Sequence, residues 1–147
     1  MLQIALPNKG ALSDEAIALV KEAGYRIRRD GRELTVVDEA NEVEFYFLRP
    51  RDIAVYVDTG VLDIGVTGRD LAVDSETDVV ELLALGFGRS TFRYAVQADS
   101  QVLPEQFGGM RIATSYPNIV KADMAARGVD VSIVRLDGAV EISIQLG

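Results

Sequence analysis

The residues best suited to chemistry lie in one run, Phe47-Leu-Arg-Pro-Arg-Asp-Ile-Ala-Val-Tyr-Val-Asp-Thr-Gly-Val-Leu-Asp-Ile-Gly-Val-Thr-Gly-Arg-Asp70. It reads as strand, helix, strand and helix start. Arg49 and Arg51 stand where the first strand ends, and a small-residue turn with Arg69 stands where the second ends. Strand-to-helix turns leave backbone N–H groups without internal partners, and such turns seat anions, phosphates above all. Arginine adds a planar fork that matches an oxyanion. Two such turns in one short span predict a chain that handles a phosphorylated small molecule. Arg49 could instead form a surface ion pair with Asp52, and Arg51 is expected on the exterior of the helix.

Four further groups carry chemistry. Pro7-Asn-Lys-Gly10 can hold Lys9 over a phosphate, although it lacks the glycine spacing of a Walker loop. Asp63-x-Gly65-x-x-Gly68 resembles a glycine-rich turn; alternatively Gly65 permits close packing and Gly68 a positive φ. Thr67 and Asp70 then offer polar contacts to a ligand. A carboxylate suits a ribose or base donor rather than a phosphate, or it stabilises a helix start. In Thr114-Ser-Tyr-Pro-Asn118, Tyr116 either stacks on a base or stands in an ordinary helix cap. Asp137 and Glu141 lie four apart, so a helix starting at Gly138 brings them together as ligands for ribose hydroxyls or Mg²⁺. Otherwise they are a capping aspartate and a satisfied glutamate. The apolar neighbours Ala139, Val140 and Ile142 predict a buried Glu141, which favours function.

Composition narrows the chemistry. The 147 residues hold no histidine and no cysteine. That removes Ser-His-Asp and Cys-His catalysis, imidazole or thiolate metal sites, and disulfides. Carboxylates, lysine, arginine, backbone dipoles or a hard metal ion remain, an inventory suited to transfer reactions with a good leaving group. A net charge of −8 disfavours nucleic-acid partners, so a phosphate site must be a local basic pocket. Arg26, Arg28, Arg29 and Arg32 form one basic group, read either as part of such a pocket or as a solvated patch. No apolar run is long enough to span a bilayer and no signal peptide is evident, so the expected place is the cytoplasm, away from membranes.

These groups need elements to position them. Strands are predicted at Leu2–Leu6, Leu34–Val37, Val43–Leu48, Leu62–Val66, Val79–Ala84, Phe92–Gln97, Arg111–Thr114 and Val131–Leu136. A helix capped by Ser13 runs to Gly24, with Leu12, Ala16, Leu19, Val20 and Ala23 on its apolar face. Others run from Pro50 to about Asp58, from Ser115 to about Arg127, and from Gly138 through Leu146. Alternating strands and helices predict an α/β fold with mostly parallel sheets, in which ligands sit beyond the C-terminal strand ends. Lys9, Arg49, Asp70, Tyr116 and Glu141 all follow such ends. Two small lobes are expected, residues 1–89 and 90–147, with a cleft between them. Because Glu141-Ile-Ser-Ile-Gln-Leu-Gly147 reads as a helix that should feed a further strand, the chain is expected to be truncated.

Taken together, Pro7-Asn-Lys-Gly10, Phe47-Leu-Arg-Pro-Arg-Asp-Ile53, Asp63-Ile-Gly-Val-Thr-Gly-Arg-Asp-Leu71, Arg111-Ile-Ala-Thr-Ser-Tyr-Pro-Asn118 and Leu136-Asp-Gly-Ala-Val-Glu141 resemble the long form of ATP phosphoribosyltransferase. The resemblance implies two lobes similar to the type II periplasmic-binding-protein fold. It implies that N1 of ATP attacks the anomeric carbon of phosphoribosyl pyrophosphate, releasing pyrophosphate with help from Mg²⁺. It places Arg32 and Arg49 near the leaving pyrophosphate, Lys9 and Tyr116 on the nucleotide side, Asp70 beside the adenylate, and Glu141 near the ribose of the second substrate. Homo-oligomers, dimers or hexamers, are implied for the full-length family. The family's Thr-Gly loop for the 5′-phosphate and its histidine-binding regulatory domain have no counterpart in the 147 residues. The rival reading from another class is a two-lobe protein that binds an anion or small solute without catalysis.

Overall fold

A computed structural model describes residues 1–146, in two compact units, Met1–Arg89 and Ser90–Gly147. Each is treated by itself.

The first unit is built on a four-stranded sheet of β1 (Leu2–Pro7), β2 (Thr35–Asp38), β3 (Val43–Leu48) and β4 (Ile64–Gly65), in the order β2-β3-β1-β4. β1 pairs in parallel with β3 and β4, and only β2 runs antiparallel. Side chains alternate across the sheet. Ile4, Leu6, Val43, Phe45 and Phe47 face one way and pack with Ala16 and Val20 of helix α1 (Ala11–Glu22). Ala5 faces the other way and packs with Ile53 of helix α2 (Pro50–Asp58) and with Leu62. A sheet covered on both faces is the arrangement parallel strands require. Helix α3 (Arg69–Asp74) follows β4 after a short turn.

Gly65 is fixed by this packing. A Cβ there would lie 2.3 Å from Ile53 Cγ2 and 3.2 Å from Val57 Cγ2, so α2 rests directly on a bare backbone. Gly68 has φ −71°, so the positive φ expected there is absent. It precedes α3, with the Asp70 carboxylate folded over it.

The second unit holds a parallel pair, β5 (Arg111–Thr114) and β6 (Ser132–Arg135), with helix α4 (Pro117–Ala126) packed on it. Phe107, Val120 and Met124 form its buried centre, joined by Tyr94, Ile112 and Ile133. Tyr94 and Phe107 meet edge to face at 5.5 Å.

Several expectations are corrected. Ser13 does not cap α1; Gly10 does, at φ 79°, and Ser13 is buried inside the helix. The strands predicted at Val79–Ala84 and Phe92–Gln97 do not form, and Val80, Leu82 and Leu83 are exposed. A strand exists only where another supplies its hydrogen bonds, and neither stretch has such a neighbour among the described residues. The predicted helix from Gly138 is instead a 3₁₀ turn, Val140–Ile142, followed by α5 (Ser143–Leu146). Ala139, in the left-handed region at φ 50°, breaks it.

Candidate functional site

In the first unit the register fixes which turns are neighbours. Pro7 pairs with Leu48 and Ala5 with Gly65, so β1, β3 and β4 end on one edge of the sheet. The residues that follow are Asn8-Lys9-Gly10, Arg49, and Thr67 to Asp70. The loop before β2 joins the same edge. The Phe47 N–H donates to Leu34 O at 2.8 Å, and Arg29 Nη1 donates to Asn8 O at 2.9 Å. Arg32 lies in that loop. Lys9, Arg32 and Arg49 are therefore carried by loops on one rim, with Asp70 in the first turn of α3 beside them.

Local sequence explains each turn. Pro50 occupies the first position of α2, where its missing N–H costs nothing, and this stops β3 at Leu48 and leaves Arg49 at the junction. Gly10 takes a positive φ and turns the chain from β1 into α1. The Asn8 N–H donates to Leu48 O at 2.8 Å, tying the first turn to the end of β3. Asn8 Oδ1 is buried and has no hydrogen-bond partner among the described residues.

The three arginines of the opening run separate by their partners. Arg51 pairs with the buried Asp74 at 3.2 Å, joining α2 to α3; this corrects its expected place on the helix exterior. Arg69 grips Glu81 through two bonds of 2.8 and 2.5 Å, which hold the Glu81 carboxyl below its ordinary range. Arg49 is exposed, and the expected alternative of an ion pair with Asp52 is not formed; only the Asp52 N–H meets Arg49 O, at 2.9 Å. Lys9 and Arg32 are exposed as well. Among the described residues none of these three cations has a carboxylate partner. Of the hydroxyl and carboxyl groups expected at the β4 turn, Thr67 Oγ1 donates to Pro50 O at 2.6 Å. Asp70 Oδ1 accepts from the Leu71 N–H at 2.9 Å.

In the second unit Thr114 pairs with Arg135, so β5 and β6 also end together. Tyr116 stands at the start of α4, its N–H donating to Thr114 Oγ1 at 2.9 Å. Its ring meets Phe92 edge to face at 4.8 Å. Glu141 is exposed in the 3₁₀ turn, so its predicted burial fails. Asp137 turns to Arg135 at 3.5 Å. No continuous helix joins Asp137 to Glu141, and the paired-carboxylate reading loses its geometry. Among the described residues no group of three or more potential ligating side chains converges on a metal site.

Arg29 is the residue whose part the sequence obscured. It was one of four arginines in a basic group, and only the structure separates its half-buried side chain from the exposed Arg26, Arg28 and Arg32. No helix among the described residues is long and apolar enough to cross a membrane.

Comparison with known proteins gives a consistent family. HisG, described as ATP phosphoribosyltransferase, matches residues 49–147. The ATP phosphoribosyltransferase of Rhodococcus jostii (strain RHA1) is 62% identical over the whole chain, which covers 52% of that protein. That of Corynebacterium jeikeium (strain K411) is 61% identical with the same coverage. The chain thus spans about half the length of the curated relatives it matches. A solved structure, the ATP phosphoribosyl transferase (HisG:HisZ) complex from Thermotoga maritima, superposes with a TM-score of 0.74 at 25% identity. That match covers 100% of this chain and 69% of the solved one.

Proposed function

The chain belongs to the HisG ATP phosphoribosyltransferase family, and from that premise we propose that it serves phosphoribosyl transfer from phosphoribosyl pyrophosphate to N1 of ATP. The products are phosphoribosyl-ATP and pyrophosphate, the first step of histidine biosynthesis. One observation carries the reading: Lys9, Arg32 and Arg49 lie on one rim without carboxylate partners among the described residues, in a chain of net charge −8. Cations exposed in so acidic a molecule are suited to an anionic ligand.

The mechanism follows from charge. As the bond from C1 of the ribose to the pyrophosphate breaks, positive charge grows on the sugar and negative charge on the leaving group. Arg32 and Arg49 stabilise the departing oxygens. N1 of adenine attacks through its own lone pair, so no general base is needed, in keeping with a chain that lacks histidine. Lys9 receives a nucleotide phosphate, and Tyr116 packs on the base side. Asp70 Oδ2 accepts from the adenylate, and Glu141 from the ribose of the second substrate. Among the described residues no three carboxylates converge. Mg²⁺ enters this reading as the counter-ion carried by the pyrophosphate group, since the ion keeps several waters and binds through one or two carboxylates plus substrate phosphates.

Cytoplasmic residence and self-association complete the proposal. The deciding experiment mixes the protein with ATP, Mg²⁺ and phosphoribosyl pyrophosphate. Equal release of phosphoribosylated adenine nucleotide and pyrophosphate is expected. Substrate binding without product would overturn the enzymatic reading in favour of a binding protein.

A further inference from the structure

We propose that Arg29 is the positioning residue of the cationic rim, a single guanidinium that sets Lys9, Arg32 and Arg49 in register; this rests on the anion-binding reading above. Its three contacts fall on three different segments. Nη1 donates to Asn8 O at 2.9 Å, next to Lys9. Nε donates to Glu33 O at 3.0 Å, next to Arg32. Its Cζ lies 4.0 Å from the centroid of the Phe47 ring, two residues before Arg49. Phe47 is fully buried in the sheet core, so the stacked guanidinium has a rigid floor.

Each segment needs such a tether. Residues 28–34 contain no helix or strand. The turn at Asn8 keeps a buried acceptor, Asn8 Oδ1, unsatisfied by any described residue, which disfavours that conformation unless something else fixes it. Lysine cannot replace arginine here. It carries the same charge, but neither a planar face for Phe47 nor a fork that reaches two carbonyls at once.

The test uses Arg29→Lys and Arg29→Gln, with Arg28→Lys, an exposed neighbour, as control. Two quantities are read: hydrogen exchange of the Asn8 amide, and calorimetric affinity for inorganic pyrophosphate. In Arg29→Lys the Asn8 amide is expected to exchange about tenfold faster, while the Ile4 and Leu6 amides in β1 keep their rates. Pyrophosphate affinity should fall by about tenfold despite the conserved charge, the size expected when one charge-assisted hydrogen bond is lost. Arg28→Lys should change neither. Wild-type exchange at Asn8 in Arg29→Lys, or faster exchange with unchanged affinity, would overturn the positioning role. If the wild-type protein binds no pyrophosphate, the anion reading of the rim fails, and the exchange measurement still decides whether Arg29 holds the turns. Should Arg29→Gln unfold, Arg29→Lys decides alone.

Discussion

Arg49 and Arg51 are separated by one residue, and the structure gives them different company. Arg51 faces Asp74, which is buried, while Arg49 is exposed beyond the end of β3. Removing each should therefore show in a different measurement. Arg49→Ala is expected to leave the melting temperature nearly unchanged and, on the proposed reaction, to lower turnover by roughly 10²–10³, the usual effect of losing one preorganised donor to a developing anion. Arg51→Ala is expected to cost about 1–3 kcal/mol in denaturant unfolding, because a buried carboxylate loses its cation. Equal stability losses in the two variants would contradict this assignment. Sequence spacing could place both arginines at a strand end. It could not tell which one meets Asp74, because that partner lies 23 positions away and is chosen by the packing of α2 against α3.

At the scale of elements, one buried or hydrogen-bonded titratable group in each unit gives it a response to pH. The Asp38 carboxylate, at the end of β2, accepts the Arg26 N–H and the Asn41 Nδ2, each at 2.7 Å. The Arg26 backbone bond first, then the Asn41 bond, hold it below the ordinary aspartate range. In the unfolded chain it titrates near ~3.9. The folded state thus binds fewer protons, and the stability is present above about pH 3.9 and lost as pH falls through the lower folded value. Between about pH 4 and pH 2, Asp38→Asn should show a shallower fall in melting temperature than the wild type. Tyr94 behaves in the opposite sense. Burial, then its hydrogen bond to Asp123 at 2.7 Å, push its hydroxyl up to about 12. Its contribution is whole below about pH 10, the unfolded value, and is lost as pH rises through about 12. Ultraviolet titration should show a late tyrosinate step that disappears in Tyr94→Phe. β3, α2 and β5 were legible to the residue, because proline, glycine and alternating apolar positions act within one element. The stretch 79–84 and the end at Glu141 were not, because pairing and burial depend on neighbours that local pattern does not encode.

Over the whole molecule, ordered structure is unevenly distributed. Residues 77–97 contain no helix or strand, and Arg89 and Arg93 within them are exposed. Limited trypsin treatment is expected to cut first at these two arginines, before Lys21 in α1 or Lys121 in α4, as mass spectrometry of the early fragments would show. First cuts inside those elements would refute this. The α/β class and the rim of strand ends were readable from alternation alone, since a parallel sheet puts every such end on the same side.

Gly65 links fold stability to chemistry without touching a ligand. A bulkier residue there must displace the Ile53 side chain of α2, and α2 begins one position after Arg49. On the proposed reaction, a saturation-mutagenesis map scored on growth without histidine would therefore rank Gly65 beside Arg49, although hydrogen is its entire side chain.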